Sequence, residues 1–271
     1  MLIDIIAGTR PNFVKVSSLI HALNDRSYGL NYRLIHTGQH YNDELSKIFF
    51  KQLKIPKPHI NLNVGSGSQA DQVGSIMSKY EKVLFKKKPD LCVVVGDVNS
   101  TMACAITAKK MNIKVAHIEA GIRSNDISMP EEINRMVTDS ITDYFFTTSK
   151  IASKNLYKLG ANKENVFFVG NTMIDTLLSN SNNLIKPDFY DIYDLKKEYF
   201  VLTLHRPSNV DNISVFKNII DEIMRSTGNL KVIFPVHPRT QKNIQSIKNI
   251  SDRLICVNSL PYLEFNYLVK N

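Results

Sequence analysis

Short apolar runs alternate with amphipathic stretches along the chain, and their periods predict strands and helices in turn. Strands are predicted at Leu2–Ala7, Tyr32–Thr37, Leu91–Val95, Lys114–Ile118, Tyr144–Thr147 and Val166–Val169. Helices are predicted between them at Pro11–Leu23, Glu44–Leu53, Gln69–Lys86, Ser100–Met111, Glu131–Ser140 and Ser149–Leu159. Because Val93, Val94 and Val95 are apolar without alternation, they indicate a parallel strand covered on both faces. This pattern predicts an α/β fold with a doubly wound parallel sheet.

A second and shorter α/β series follows a polar connection. Strands are predicted at Tyr199–Leu204, Lys231–Pro235 and Leu254–Val257, with helices near Val215–Met224, Thr240–Ile247 and Tyr262–Val269. The polar stretch Ser179–Asn183 and the segment 187–194 separate the two series, so we expect the hinge between about 170 and 195. The prediction is two Rossmann-like domains, 1–172 and 173–271, the second of them incomplete.

The composition is that of an ordinary globular protein, with 43% hydrophobic and 22% charged residues among 271. No apolar run reaches the roughly 20 residues of a membrane span. The apolar run at the N-terminus is too short for a signal peptide, and Asp4 interrupts it. We therefore expect a cytoplasmic protein with no membrane partner.

The net charge of +9 has two interpretations, nucleic-acid binding or a positive field around an anionic substrate. Lysines are spread along the chain in short runs such as 86–88, without interleaved aromatic residues or a nucleic-acid-binding motif, so no nucleic-acid partner is expected. Cys92, Cys104 and Cys256 lack metal-ligand spacing and lie in apolar or Ala-rich runs. They are expected to be buried, reduced thiols.

The first predicted strand ends in a turn, Gly8–Pro11, with Lys15 one helical turn farther on. A helix N-terminus with Arg10 and Lys15 beside it would favour an anion. A plain strand-to-helix turn with two solvated cations explains the same residues, and the local pattern leaves both interpretations open. Because no GxGxxG fingerprint follows the strand, we expect no dinucleotide cofactor.

Acidic residues follow two further strands, at the edge where open parallel sheets bind ligands. Asp97 and Glu119 each follow an apolar strand and lie beside a glycine, and Glu131 begins a helix after Pro130. Compensation of the helix dipole explains Glu131 or its neighbour Glu132 equally well. Clustered carboxylates can hold one another's pKa values up, as proton abstraction at neutral pH requires.

Cationic residues follow strands of the second series: His205 and Arg206, then His237 and Arg239. Each alone is explained by a structural role, but together with the acids of the first series they predict an anion-binding cleft. The four-residue spacing of His36 and His40 could indicate zinc. However, the two residues do not share a helix face, and no third ligand is nearby, so no metal is expected.

These strand-end segments occur in a characteristic order: Gly8–Pro11 with Lys15, Thr37–His40, Gly96–Asp97, His117–Arg123, Pro130–Arg135, Gly170–Thr172, His205–Arg206 and Pro235–His237. Together they resemble the non-hydrolysing UDP-N-acetylglucosamine 2-epimerases along essentially the whole chain. Each segment is weak evidence by itself, whereas the complete series is highly specific.

The resemblance implies two Rossmann-like domains in the GT-B arrangement and a UDP-sugar substrate. The expected reaction interconverts UDP-N-acetylglucosamine and UDP-N-acetylmannosamine through elimination of UDP and a 2-acetamidoglucal intermediate, without a cofactor. It would feed capsule or related cell-surface polysaccharide synthesis. The resemblance also implies a homodimer, catalytic roles for Asp97, Glu119, Glu131 and His205, and substrate contacts from Arg10, Lys15, His40, Arg135, Arg206 and His237. It does not assign the base that takes the C2 proton.

Two departures from the family qualify these expectations. Family members continue into an Asp-Ser-Gly-Gly-Ile-Gln-Glu-Glu segment that holds UDP, and this sequence ends before it, so weak or no activity is expected of the chain alone. Pro207 stands where many members carry Arg, so allosteric regulation is not inferred. The alternatives are an inactive remnant that binds a partner, a GT-B glycosyltransferase, and an epimerase acting on a diacetamido uronic acid.

Overall fold

A computed structural model describes residues 1–25, 29–38, 43–236, 238–246 and 251–271. The chain forms two compact units, Met1–Ser181 and Asn182–Asn271, called here the first and second units. Within the described ranges, no helix combines the length and apolar composition that a bilayer crossing requires.

The first unit is built on a seven-stranded parallel sheet. Its strands are β1 (Leu2–Ala7), β2 (Asn31–His36), β3 (Ile60–Asn61), β4 (Leu91–Val95), β5 (Lys114–Ile118), β6 (Tyr144–Thr147) and β7 (Val166–Phe168). They lie in the order β3-β2-β1-β4-β5-β6-β7. The direction of winding therefore reverses between β1 and β4, and this reversal is called here the switch point.

The helices of the first unit are α1 (Arg10–Asp25), α2 (Asp43–Leu53), α3 (Gln69–Lys86), α4 (Asn99–Lys110), α5 (Pro130–Ile141), α6 (Lys150–Lys158) and α7 (Thr172–Ser179). Local sequence explains where several of them begin. The side chains of Ser68, Ser149 and Asn171 accept backbone N–H bonds at the starts of α3, α6 and α7. Pro130 occupies the first position of α5, where its missing N–H costs nothing.

Both faces of this sheet are covered. On one face, Ile6, Ile35 and Val94 of the strands join a core cluster with Tyr80 of α3 and Cys104 of α4. Their strand neighbours Ile5, Leu34 and Val93 point to the other face and are buried as well. Burial on both sides accounts for the uninterrupted apolar run of β4 in the sequence.

Helix α7 belongs to the first unit because it lies against α1. The hydroxyl of Thr176, which is fully buried, donates to the carbonyl of Val14 at 2.8 Å. This contact ties the last helix of the unit to the first.

The second unit contains a three-stranded parallel sheet in the order β10-β9-β8. Its strands are β8 (Tyr199–Val201), β9 (Lys231–Val236) and β10 (Leu254–Asn258), and its helices are α8 (Phe189–Ile192), α9 (Pro207–Val210), α10 (Ile213–Ser226), α11 (Pro238–Ser246) and α12 (Tyr262–Lys270). Phe216 and Ile220 of α10 pack on one face, and Tyr190 and Leu268 pack on the other.

The predicted α/β fold class is confirmed, with differences in detail. The strand predicted over 199–204 ends at Val201, and the elements β3, α7, α8 and α9 were not predicted. Cys92 and Cys104 are buried as predicted, and burial raises the pKa of Cys92 to about 12. The prediction of a buried Cys256 is wrong, because this residue lies on the edge strand β10 and is exposed.

Candidate active site

Polar residues converge at the switch point of the first unit. Asn12 of α1, which is buried, accepts the backbone N–H groups of Gly8 and Thr9 at 3.0 Å each. Its amide nitrogen donates across the switch point to the carbonyl of Val95 at 3.2 Å. One side chain therefore holds the turn after β1 against the carboxyl end of β4, where sheets of this kind bind ligands.

Lys15 of α1 and Glu119, which follows β5, form an ion pair above this point. Each side chain is 12% exposed, so the pair is largely removed from water but still reached by it. Gly96 lies directly beneath the pair. A Cβ at position 96 would lie 3.0 Å from Lys15 Nζ and 3.2 Å from Glu119 Oε2, and the backbone there has φ +70°. The backbone conformation therefore favours glycine, and an added Cβ would push the ion pair aside by a few tenths of an ångström.

A second group of charges surrounds Asp97. The Arg135 guanidinium contacts the Asp97 carboxylate and lies 3.1 Å from the buried Glu132 carboxylate. Glu132 also accepts the backbone N–H groups of Ser124 (2.9 Å) and Asn125 (3.2 Å). Burial acts to raise the pKa of Glu132, but these hydrogen bonds and Arg135 outweigh it and lower that pKa. Glu132 is therefore an ionised anchor for Arg135 and for the loop before α5.

Glu119 has an unusual backbone conformation. Its φ of +70° lies in the left-handed region, which costs a residue other than glycine of order 1–3 kcal/mol. Its N–H donates to the carbonyl of Phe146 on β6 at 3.0 Å. The conformation turns the chain at the end of β5 at the point where the Glu119 carboxylate meets Lys15.

The structure therefore brings together four of the residues predicted for the site: Lys15, Asp97, Glu119 and Arg135. Asp97 and Glu119 were predicted from the sequence as clustered carboxylates. In the structure each contacts a cation, because Lys15 and Arg135 reach the two strand ends from α1 and α5. The two cations thus offset most of the negative charge of Asp97, Glu119 and Glu132, which would otherwise repel an anionic ligand.

The other predicted residues occupy separate places. Arg10 is the first residue of α1 and is exposed, and Glu131 is half-buried in the first turn of α5. His205 and Arg206 are exposed in the segment between β8 and α9 of the second unit. His40 and His237 lie outside the described residues.

Two residues of the site were not identified from the sequence. Asn12 lies within the predicted first helix, and Glu132 was explained there by helix-dipole compensation. Only their contacts, with the turn after β1 and with Arg135, distinguish them from solvated polar residues. Across the part of the chain that the structure describes, no three His, Cys, Asp or Glu side chains are grouped to hold a metal ion.

The first unit has a parallel sheet with its switch point between β1 and β4, and a second parallel α/β unit follows it. This architecture places the protein among Rossmann-like enzymes of the GT-B-like class. The chain belongs to the UDP-N-acetylglucosamine 2-epimerase family, whose sequence profile matches residues 21–271.

Named relatives cover the whole chain. It is 42% identical to the UDP-N-acetylglucosamine 2-epimerase of Methanocaldococcus jannaschii, covering 100% of this chain and 76% of that protein. The crystal structure of the M. jannaschii enzyme with UDP-GlcNAc and UDP matches with a TM-score of 0.88 and 41% identity, covering 100% of this chain and 77% of that one. The chain is also 35% identical to the UDP-2,3-diacetamido-2,3-dideoxy-D-glucuronate 2-epimerase of Pseudomonas aeruginosa, over 100% of this chain and 76% of that protein.

Proposed function

We propose that this protein interconverts UDP-N-acetylglucosamine and UDP-N-acetylmannosamine. The observation that carries the proposal is the position of Asp97 and Glu119, at the ends of neighbouring strands beside the switch point, each in contact with a cation. Family membership supports the same reaction, since the M. jannaschii relative is named UDP-N-acetylglucosamine 2-epimerase and matches this chain along its full length.

The proposed reaction runs by elimination and re-addition. A carboxylate takes the proton from C2 of the sugar while the bond between C1 and the β-phosphate oxygen breaks, which gives 2-acetamidoglucal and UDP. The phosphate oxygen then re-forms its bond to C1 as a proton is delivered to the opposite face of C2. The sum is an inversion at C2 with no net oxidation or reduction.

We assign residue roles in this reaction from the family resemblance and from the ion pairs of Lys15 with Glu119 and of Arg135 with Asp97. Asp97, Glu119 and Glu131 are the proposed acid/base set, without an assignment of the C2 base. Fixed cations stabilise the charge that develops on a departing diphosphate, and we assign this role to Arg10, Lys15 and His205. The proposed substrate contacts are made by His40, Arg135, Arg206 and His237. Residues 1–172 would carry the acid/base chemistry, and residues 173–271 would bind the nucleotide.

The decisive experiment is incubation of the full chain with UDP-N-acetylglucosamine in D₂O, followed by ¹H NMR. The proposal expects loss of the C2 proton signal and appearance of UDP-N-acetylmannosamine. Glu119→Gln and Asp97→Asn should each slow the exchange by about 10²–10⁴-fold, the usual contribution of a general acid or base. If the wild type leaves the C2 proton in place, the chain does not epimerise this substrate by itself, and the proposal is wrong for the chain alone.

Asp143→Asn is the matched control for these two variants. Asp143 also pairs with a lysine, Lys109, at 2.8 Å, but it lies beside the amino end of β5 and accepts the N–H of Val115. This variant should retain the exchange rate of the wild type. The chain spans 76% of the M. jannaschii enzyme, and the same assay tests the prediction from sequence that the chain alone has weak or no activity.

A second substrate follows from the P. aeruginosa relative, which is named for a diacetamido uronic acid. Parallel incubations with UDP-N-acetylglucosamine and with the UDP-diacetamido-glucuronate distinguish the two by their rates of C2 exchange. A role in cell-surface polysaccharide synthesis, a cytoplasmic location and a homodimeric state are parts of the proposal that depend on the family resemblance.

A further inference from the structure

A buried carboxylate outside the candidate site bonds to the turn that carries Glu119 and, through His117, reaches the turn that carries Asp97. Asp139 lies in the last part of α5 and is 5% exposed. It also borders a cavity of about 580 Å³ that includes Phe145 and Leu156 in its lining, and neither Asp97 nor Glu119 lines that cavity. Asp139 is therefore not placed to touch a ligand bound at the switch point.

Asp139 makes three contacts, one with β5 itself and two with the segment that follows it. One oxygen lies 2.7 Å from Nδ1 of the fully buried His117. The other accepts the backbone N–H of Gly121 at 3.0 Å and lies 2.7 Å from the Arg123 guanidinium. Glu119 lies between the first two of these contacts, so Asp139 fixes the chain on both sides of it.

His117 extends the connection to the turn after β4. Its second ring nitrogen, Nε2, lies 2.8 Å from the carbonyl oxygen of Gly96, the residue before Asp97. Because a carbonyl only accepts, Nε2 is the donor in this bond. Burial acts to raise the pKa of Asp139, but the bonds and charges of His117 and Arg123 outweigh it and lower that pKa.

The segment around Glu119 needs such a clamp. Gly121 has φ +78°, and a Cβ on it would lie 2.3 Å from the carbonyl oxygen of Ala152, so the chain passes directly against α6. Asn155 of α6 donates to the carbonyl of Gly121 at 2.9 Å. Glu119 itself holds a left-handed conformation, which persists only where surrounding contacts enforce it.

We propose that Asp139 is a positioning residue, which fixes the turns bearing Glu119 and Asp97 relative to each other through Gly121 and through His117 to Gly96. The catalytic part of this inference rests on the proposed function. The positioning part does not, since it concerns the geometry of the two turns alone. A displacement of about 1 Å in a reacting group can cost about 10²-fold in rate, so the clamp would act on turnover without touching substrate.

The test compares Asp139→Asn with the control Asp143→Asn. Asp139 is buried and Asp143 is half-buried, and both border the same cavity. Each accepts a backbone N–H in or just after β5, Asp143 from Val115 and Asp139 from Gly121. Asparagine keeps the shape of Asp139 but removes its charge, so the ion pair with Arg123 is lost and the remaining contacts become those of a neutral amide.

The first readout is amide hydrogen exchange by mass spectrometry on the full chain, which needs no enzymatic activity. Asp139→Asn should speed exchange in the peptide 117–124 by about tenfold or more, while Asp143→Asn leaves that peptide unchanged. Equal protection of 117–124 in Asp139→Asn and the wild type overturns the proposal. A uniform loss of protection across the first unit also overturns it, because that result indicates a general loss of stability.

The second readout is the rate of C2 deuterium exchange, corrected for the folded fraction. We expect Asp139→Asn to lower kcat by about 10²-fold with KM little changed, and Asp143→Asn to retain both. An unchanged kcat beside faster amide exchange overturns the catalytic part. If the wild type itself shows no C2 exchange, the proposed function fails, and amide exchange alone decides whether Asp139 positions the turns.

Discussion

Gly96 lies under the ion pair of Lys15 and Glu119 and offers a direct test of the site at the scale of one residue. Gly96→Ala combines the strain of φ +70° with contacts at 3.0 and 3.2 Å to that pair. Gly160 has φ +86° with open space around it, so Gly160→Ala carries the backbone strain alone. We expect both variants to lose about 1–2 kcal/mol of stability and only Gly96→Ala to lose C2 exchange. Urea unfolding and the NMR assay measure the two effects, and equal activity in both variants would contradict the assignment of the site.

The lowered pKa of Asp139 makes a prediction about stability and pH. A carboxyl whose pKa is depressed by folding stabilises the protein above its unfolded value of 3.8, and this stability is lost as pH falls through the folded value. Asp139→Asn should therefore be less stable than the wild type near neutral pH, with a difference that shrinks below pH 3.8. Urea unfolding of both proteins from about pH 6 to about pH 3 checks this. A difference in unfolding free energy between the two proteins that grows towards acid pH would mean that the Asp139 carboxylate is not stabilised by its partners.

The acids of the site could be predicted from sequence because they end apolar strands. Glu119 follows β5 directly and Asp97 follows β4 after Gly96, so both lie at the same edge of the sheet. Asn12 and Asp139 could not be predicted, because a polar residue within a helix usually faces solvent. Their roles arise only when α1 and α5 pack on the sheet, and sequence periodicity does not report which polar residue then meets which backbone group.

At the scale of elements, a buried ion pair joins β1, β2 and α3. Arg33 donates two bonds to Asp4, at 2.7 and 2.8 Å, and the Tyr80 hydroxyl donates a third at 3.0 Å. Asp4 is fully buried, and burial raises its pKa despite the lowering effects of Arg33 and Tyr80. Asp4, which interrupts the apolar N-terminal run in the sequence, is thus a structural acid of the first strand.

Arg33→Met should destabilise the protein by about 3–5 kcal/mol near neutral pH, because it leaves a buried carboxylate without its cation. The control is Lys109→Met, which removes the cation of a pair whose side chains are 34% and 28% exposed. This control should cost no more than about 1 kcal/mol. Urea unfolding of both variants measures the difference. A loss below 1 kcal/mol in Arg33→Met would show that the bidentate pair contributes little beyond a surface pair.

The long elements were predictable because their periodicity is strong, and α3 has the predicted bounds Gln69–Lys86. The two-residue strand β3 and the four-residue helices α8 and α9 are too short to show a period. Strand β8 stops at Val201, although Leu202 and Leu204 are apolar and pack against the core of the second unit, and Leu202 N–H still donates to the carbonyl of Ile233 at 2.8 Å. Tertiary packing decides such boundaries.

At the scale of the whole molecule, the two units have separate cores. The seven-stranded sheet, its helices and the contact between α7 and α1 all lie within Met1–Ser181. A fragment of residues 1–181 should therefore fold alone and unfold cooperatively in urea, as followed by far-UV circular dichroism. The matched fragment 1–171, which lacks α7, should be less stable because it exposes the surface of α1 around Val14. A fragment 1–181 that fails to fold would mean that its core depends on residues of the second unit.

The left-handed backbone of Glu119 has a consequence for how substitutions at this position will be scored. Asparagine and glycine adopt φ +70° more readily than glutamate, and asparagine keeps a polar partner for Lys15. In a saturation library, a screen for soluble expression should therefore favour those two residues at position 119, whereas a screen for isomerase turnover should retain only the carboxylate. The ranking of substitutions at position 119 by expression would therefore differ from their ranking by turnover. An estimate of fitness from protein abundance alone would rate asparagine and glycine too highly at this position.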